Sequence, residues 1–311
     1  VAHIFIGISP GNMIFSREFP DAWDIHKFSR QVFERFDNET TLVFNDTWFQ
    51  DQDLQTVYKW LDNPNNKVVW ISLFDPIKKH VMPQNNRIRE IGCEQLCFWL
   101  LAVDKFFTQV DTSIPSSFNH KFLCYQRKVV PTRERLYHTL KDRGGIVTLG
   151  NILFADINKD LQTSSMGQNF DDGDIFVPND IWTIGNKEVW NSSFLNIVSE
   201  TAHNISGPVF VSEKIFKPIL GKRPFICYGH PKTSDFLKQR GFKTFDDYFD
   251  YRPTDNYDRQ LSQIFRIVNE IDDCREMYND LLPRIEHNFN HFKNAVSNEW
   301  EILNVLCMEN Q

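Results

Sequence analysis

No stretch of this chain is apolar for long enough to cross a bilayer. The most hydrophobic run, Leu96 to Phe107, is broken by Asp104 and Lys105 and falls short of the roughly 20 residues that a spanning helix needs. A buried helix is expected there instead, and no membrane span. The chain opens with no charged-then-apolar leader, so a cytoplasmic location is expected. Basic residues are in the minority, with 34 Lys and Arg against 41 Asp and Glu. Duplex nucleic acid is held mainly through neutralised phosphates, so the net charge gives no sign of such a partner, although a local basic groove would serve. The six cysteines are scattered; only Cys93 and Cys97 are close, at a spacing that suits one helix face better than a zinc knuckle. Reduced thiols are the expectation. No internal repeat or low-complexity tract is present.

What is present fits two domains, since 311 residues can bury two cores of ordinary size. His3 to Ile8 reads as a strand ending in the turn residues Ser9-Pro10-Gly11. Ile25, Phe28, Val32 and Phe36 recur at helical spacing, Thr41 to Asn45 reads as a strand, Leu54, Val57 and Leu61 mark a second helix, and Val68 to Phe74 a further strand. That alternation is the mark of βαβ units and a parallel sheet. A helix is expected from about Gly92 to Phe107, before the polar stretch Thr108 to His120, which suits a linker.

The rhythm then restarts with strand Phe122 to Tyr125, helix Pro131 to Arg143 and strand Ile146 to Leu149. Asn151 to Trp190 is polar and turn-rich and reads as a long loop. Strand Phe194 to Val198, helix Glu213 to Leu220, strand Pro224 to Tyr228 and helix Lys232 to Gln239 follow, and helices around Tyr257 to Ile271 and Arg275 to Leu306 close the chain. The expected domains are residues 1–115 and 116–290, both α/β and Rossmann-like, with residues 291–311 a helix that packs back toward the first. Four N-x-S/T triplets, at Asn38, Asn45, Asn191 and Asn204, would fit a lumenal domain, but chance explains them in a chain so rich in Asn.

The segment with most chemistry runs from Phe194 to Gly229. A buried strand ends in Ser199-Glu200-Thr201, and Ser212-Glu213-Lys214 opens a helix ahead of another buried strand. Unpaired amides at a helix start attract phosphate, Lys supplies a point charge for a diphosphate, and a carboxylate can accept both ribose hydroxyls. Each group also has a plain reading, Ser212 as a helix cap, Glu200 as a turn residue, and Arg133 and Arg135 as charges on a solvated helix face.

Taken together, Leu195 to Glu200, Ser212-Glu213-Lys214, Lys217-Pro218, Arg223 to Gly229 and Gly241 to Asp246 resemble the donor-binding signature of the α1,3-fucosyltransferases. The form of the last run is similar to that of phage-encoded relatives. The resemblance implies two Rossmann-like domains of the GT-B kind with the active site in the cleft between them. It implies transfer of a sugar from a nucleoside diphosphate sugar to an acceptor hydroxyl, inverting and without a metal or other cofactor. The donor would be held by Arg133, with Arg127 and Arg135 near enough to share its role, and by Glu200, Ser212, Glu213, Lys214 and Lys217. Inversion requires a general base from the first domain; Asp46 and Asp75 follow predicted strands and are the candidates, with Glu90 and Glu94 behind them.

Two rivals stand beside this reading. One is a nucleotide-binding module without transferase activity. The other is a viral transferase, acting in the host cytoplasm on hydroxymethylated nucleic acid bases rather than on a glycan. Asp171-Asp172-Gly173-Asp174 resembles the Asp-x-Asp metal motif of other glycosyltransferases, but lies in polar loop sequence rather than at a strand end, so no metal site is expected. His287 and His291 stand one helical turn apart without a third ligand beside them. EDTA should therefore leave activity of the full chain unchanged; abolition restored by Mn²⁺ would return the Asp171 to Asp174 cluster to the mechanism.

Overall fold

In a computed structural model the protein is an α/β chain. Residues 3–7, 13–15, 41–45, 58, 61–72, 87–107, 114–150, 184–200 and 207–308 are described. It divides into two compact units, Val1–Lys105 with Ser206–Phe210 and Ser297–Gln311, and Phe106–Ile205 with Val211–Val296.

The first unit holds a five-stranded sheet in the order β2-β1-β3-β4-β5. The strands are β1 (His3–Gly7), β2 (Met13–Phe15), β3 (Thr41–Asn45), β4 (Lys67–Ser72) and β5 (Ile88–Gly92). β2 pairs antiparallel with β1, and the other neighbours pair in parallel. Sequence periodicity gives no hint of β5, whose centre is Arg89-Glu90. Among the described residues it is the last strand of the order and pairs on one side only, and such edges tolerate charge.

The helix expected from Gly92 begins later, as α1 (Phe98–Phe106), and is buried from Phe98 to Val103, as a helix apolar all round must be. Cys93 and Cys97 thus precede the helix rather than sharing its face. Cys93 Sγ donates to Val209 O at 3.2 Å, and the Cys97 amide donates to Glu299 Oε2 at 2.7 Å. The predicted helices around Ile25 to Phe36 and Leu54 to Leu61 lie largely outside the described residues.

The second unit holds a four-stranded parallel sheet in the order β7-β6-β8-β9. Its strands are β6 (His120–Cys124), β7 (Ile146–Val147), β8 (Ser193–Ser199) and β9 (Phe225–Tyr228). Every residue of β8 and β9 is buried, the state of a strand covered on both faces. Around the sheet run α2 (Pro131–Leu140), α3 (Lys187–Asn191), α4 (Glu213–Leu220), α5 (Thr233–Gln239) and α6 (Tyr257–Glu270). The last helix, α7 (Cys274–Met308), ends in residues that cluster with the first unit.

Local chemistry sets these boundaries. α2 starts on Pro131, whose fixed φ suits a first turn and whose missing N–H costs nothing there. It ends at Leu140 rather than Arg143, because Asp142 at φ 63° and Gly144 at φ 78° turn the chain into the left-handed region. α3 falls inside the stretch read as loop; Asn186 caps it by accepting from the amides of Glu188 and Val189.

At the amino ends of β8 and β9, Arg223 is buried beside Trp190. Its Nε donates to Ser193 O at 3.1 Å, Nη1 to Gly221 O at 3.1 Å and Lys222 O at 2.9 Å, and Nη2 to Asn191 Oδ1 at 3.2 Å. Trp190 Nε1 donates to Gly221 O at 3.2 Å, and a Cβ on Gly221 would stand 2.5 Å from the indole. Gly221→Ala should therefore lower the urea unfolding free energy by about 1–3 kcal/mol, the usual cost of overpacking a core; an unchanged midpoint would mean that Trp190 can move aside.

Candidate functional site

From β6 the chain moves to β7 on one side, and the next described strand, β8, lies on the other. In open parallel sheets the crevice at such a reversal, beyond the carboxyl ends of the strands, is where ligands bind. Here α2 follows β6 and α4 is the next described helix after β8, so the starts of both helices belong to this rim.

The start of α4 is built from Ser212, Glu213 and Lys214. Ser212 is the cap, in extended conformation, and its Oγ accepts from the Lys214 amide at 3.4 Å. Behind it lies Glu200, the residue after β8, with no exposed surface. Glu200 Oε1 accepts from the Ser212 amide at 3.0 Å and Oε2 from Ser212 Oγ at 2.6 Å. Lys214 Nζ donates to Ser212 Oγ at 3.2 Å and to Glu213 Oε1 at 2.8 Å. Burial pushes the Glu200 carboxyl above its usual pKa, with the Lys214 charge and both Ser212 bonds acting against it. Glu213 is also buried, but there Lys214 and Lys217 outweigh the burial and hold the carboxyl below its ordinary value.

Arg133 comes from α2. It shares that helix's buried face with Leu136 and Leu140, at the i, i+3, i+7 positions normally left to apolar residues. Its side chain is 5% exposed and its Nε has no hydrogen-bond partner. Burial lowers its pKa, opposed by the charges of Glu200, Cys124 and Glu213, while Arg127 is near enough to lower it further. Arg127, Arg133, Glu200, Ser212, Glu213, Lys214 and Lys217 therefore belong to one electrostatic cluster. Arg135 points elsewhere, into an ion pair with Asp258 on α6, half exposed to solvent.

Two further residues of this rim lie outside the set of site candidates read from the sequence. Gln126 is 1% exposed. Its amide N–H donates to Thr148 Oγ1 at 2.7 Å and its Nε2 to Thr148 O at 3.2 Å. Turning the side-chain amide over would set two acceptors together, so the unpartnered atom is the acceptor Oε1. Ser199, which closes β8, also has a buried Oγ without a partner. Continuing the β6–β8 register brings Gln126 level with Ser199. Their only sequence signal is position, polar residues directly at or after the end of an apolar strand.

Asp46 and Asp75, the candidate bases, lie outside the described residues, as does the Asp171 to Asp174 cluster. Glu90 lies on β5. Glu94 is exposed and accepts from the Val209 amide at 3.3 Å. His287 and His291 stack with ring centroids 5.6 Å apart, but their Nε2 atoms bond to Gly241 O and Arg240 O. Among the described residues no group of three or more His, Cys, Asp or Glu is placed to hold a metal, and no helix is long and apolar enough to cross a membrane.

No protein-family model matches the chain, and no curated protein does. Among solved structures it is similar to an α1,3-fucosyltransferase crystallised with GDP, at 14% identity and a TM-score of 0.35 over 83% of this chain and 90% of that one.

A carboxylate held below its ordinary pKa contributes stability above its unfolded pKa and loses it as pH falls through the folded value. The stability gap between wild type and Glu213→Gln should thus stay level above about pH 4.5, the unperturbed value for glutamate, and shrink below it. Urea midpoints from pH 7 down to pH 3 test this; a gap that widens on acidification would reverse the sign assigned to Glu213.

Proposed function

We propose that this chain is a glycosyltransferase of the GT-B kind, which takes a nucleoside diphosphate sugar at the carboxyl rim of the β6–β9 sheet. The observation that carries the reading is Arg133. Burying a guanidinium is costly even with opposite charges near it. Here one is kept on an apolar helix face, its Nε without a partner, in the same electrostatic cluster as the capped start of α4. A dianionic diphosphate complements both features, because helix-start amides and fixed cations favour it together.

In this reading Arg133 and Lys214 take the diphosphate, with Arg127 and Lys217 adding to the positive field. Glu213 accepts from the ribose hydroxyls. Cations and helix amides, rather than a metal, stabilise the departing nucleoside diphosphate. An acceptor hydroxyl, on a glycan or on a hydroxymethylated base, attacks with inversion as a base from the first unit removes its proton. Asp46 and Asp75 remain the proposed bases.

Calorimetric titration of the full chain with nucleosides and nucleoside diphosphates tests the assignment. Lys214→Ala and Arg133→Ala should each weaken diphosphate binding by about tenfold to a hundredfold, the worth of a charge-assisted hydrogen bond, and leave nucleoside affinity nearly unchanged. Equal loss for both ligands would refute it. Binding of a nucleoside diphosphate sugar with no sugar lost over long incubation would instead identify a non-catalytic nucleotide-binding module.

A further inference from the structure

We propose that Glu200 is a positioning residue: it takes the one hydroxyl proton of Ser212, which turns the Ser212 lone pairs onto Lys214 and sets the ammonium where a phosphate is received. The inference rests on the diphosphate reading of this site and assigns Glu200 a role without ligand contact.

The argument is one of proton direction. The Lys214 amide and Nζ can only donate, and both reach Ser212 Oγ, at 3.4 and 3.2 Å. Ser212 Oγ is thus an acceptor toward Lys214, and its single proton has one place to go, Glu200 Oε2 at 2.6 Å. The second oxygen of Glu200 faces another obligate donor, the Ser212 amide at 3.0 Å. Each oxygen thus accepts from a donor of Ser212, an arrangement that favours the carboxylate. Ser212, its proton committed, is no free nucleophile.

The surroundings protect this arrangement. Glu200 has no exposed surface, so water does not compete for its oxygens. A Cβ on Gly229, next to it on the neighbouring strand's end, would come within 3.1 Å of Glu200 Cβ, closer than nearly all real contacts, and glycine leaves the room. Among the described residues, the charged and titratable groups that act on Glu200 include Arg133 from α2, Lys214 and Glu213 from α4, and Cys227 from β9.

An ordinary helix cap needs no carboxylate behind it, since the serine oxygen alone accepts from the first turn. Glutamine at 200 separates the two roles. Its oxygen can still accept from the Ser212 amide, but its NH₂ then faces Oγ and drives the hydroxyl proton toward Lys214, donor against donor.

The test is a set of pyrophosphate titrations on the full-length wild type, Glu200→Gln, Ser212→Ala, Ser212→Thr, Lys214→Ala and the Glu200→Gln/Lys214→Ala double variant, each checked for folding by its urea midpoint. Glu200→Gln and Ser212→Ala should each weaken pyrophosphate binding by at least about tenfold, and Ser212→Thr, which keeps the hydroxyl, should retain affinity. Lys214→Ala should cost much less in the Glu200→Gln background than in wild type, a coupling that a merely structural Glu200 would not produce. Full additivity, or wild-type affinity in Glu200→Gln, overturns the proposal while leaving the site reading intact. Should Glu200→Gln not fold, equal affinity for Ser212→Ala and Ser212→Thr overturns it. A wild type whose pyrophosphate affinity is nil, or is untouched by Lys214→Ala, overturns the site reading and this inference with it.

Discussion

A carboxylate without solvent must find donors that cannot leave, and Glu200 finds both in one residue. The Ser212 amide and hydroxyl close on its two oxygens and tie the end of β8 to the start of α4. The capped helix start is anchored there, and Gly229 leaves the room that the Glu200 side chain occupies. Removing either partner would leave the other's polar atoms stranded, which costs more than the bond itself contributes.

The same rim gathers more charge than a core ordinarily tolerates. Arg133, Glu200 and Glu213 are all buried, and their pKa shifts run in different directions because each has a different balance of burial and neighbours. Glu213 has two lysines beside it; Glu200 has one, and a like charge as well. Such divergence is common where charges receive a ligand rather than serve only to hold a fold together. The unpartnered Gln126 Oε1 and Ser199 Oγ extend the polar character of the rim along β6 and β8.

The sequence made parts of this legible for physical reasons. Helix α4 could be read to its ends because Ser212 is a strong cap and Gly221 a natural stop. Strands β6, β8 and β9 were visible as apolar runs, each found within two residues of its bounds. β5 was hidden by its charged centre, and α3 by its short length within polar surroundings, although Asn186 carried a cap signal. Arg133 was singled out by its place in a pattern, but its burial was not foreseen: the leucines at 136 and 140 mark its face as the inner one, and that spacing outranks the solvated reading of a helical arginine. The Arg135–Asp258 pair joins residues remote in sequence, which periodicity along the chain cannot reveal.

Arg223 gives the sheet an asymmetry. Its guanidinium collects carbonyls from the first residue of β8 and from the turn before β9, so one side chain cinches the amino margin of both strands. At the opposite margin the hold is divided among several side chains: Gln126 joins the ends of β6 and β7, Glu200 joins β8 to α4, and Gln260 donates to Gly229 O just after β9. One side chain thus serves both β8 and β9 at the amino margin, where the carboxyl margin uses a separate one for each.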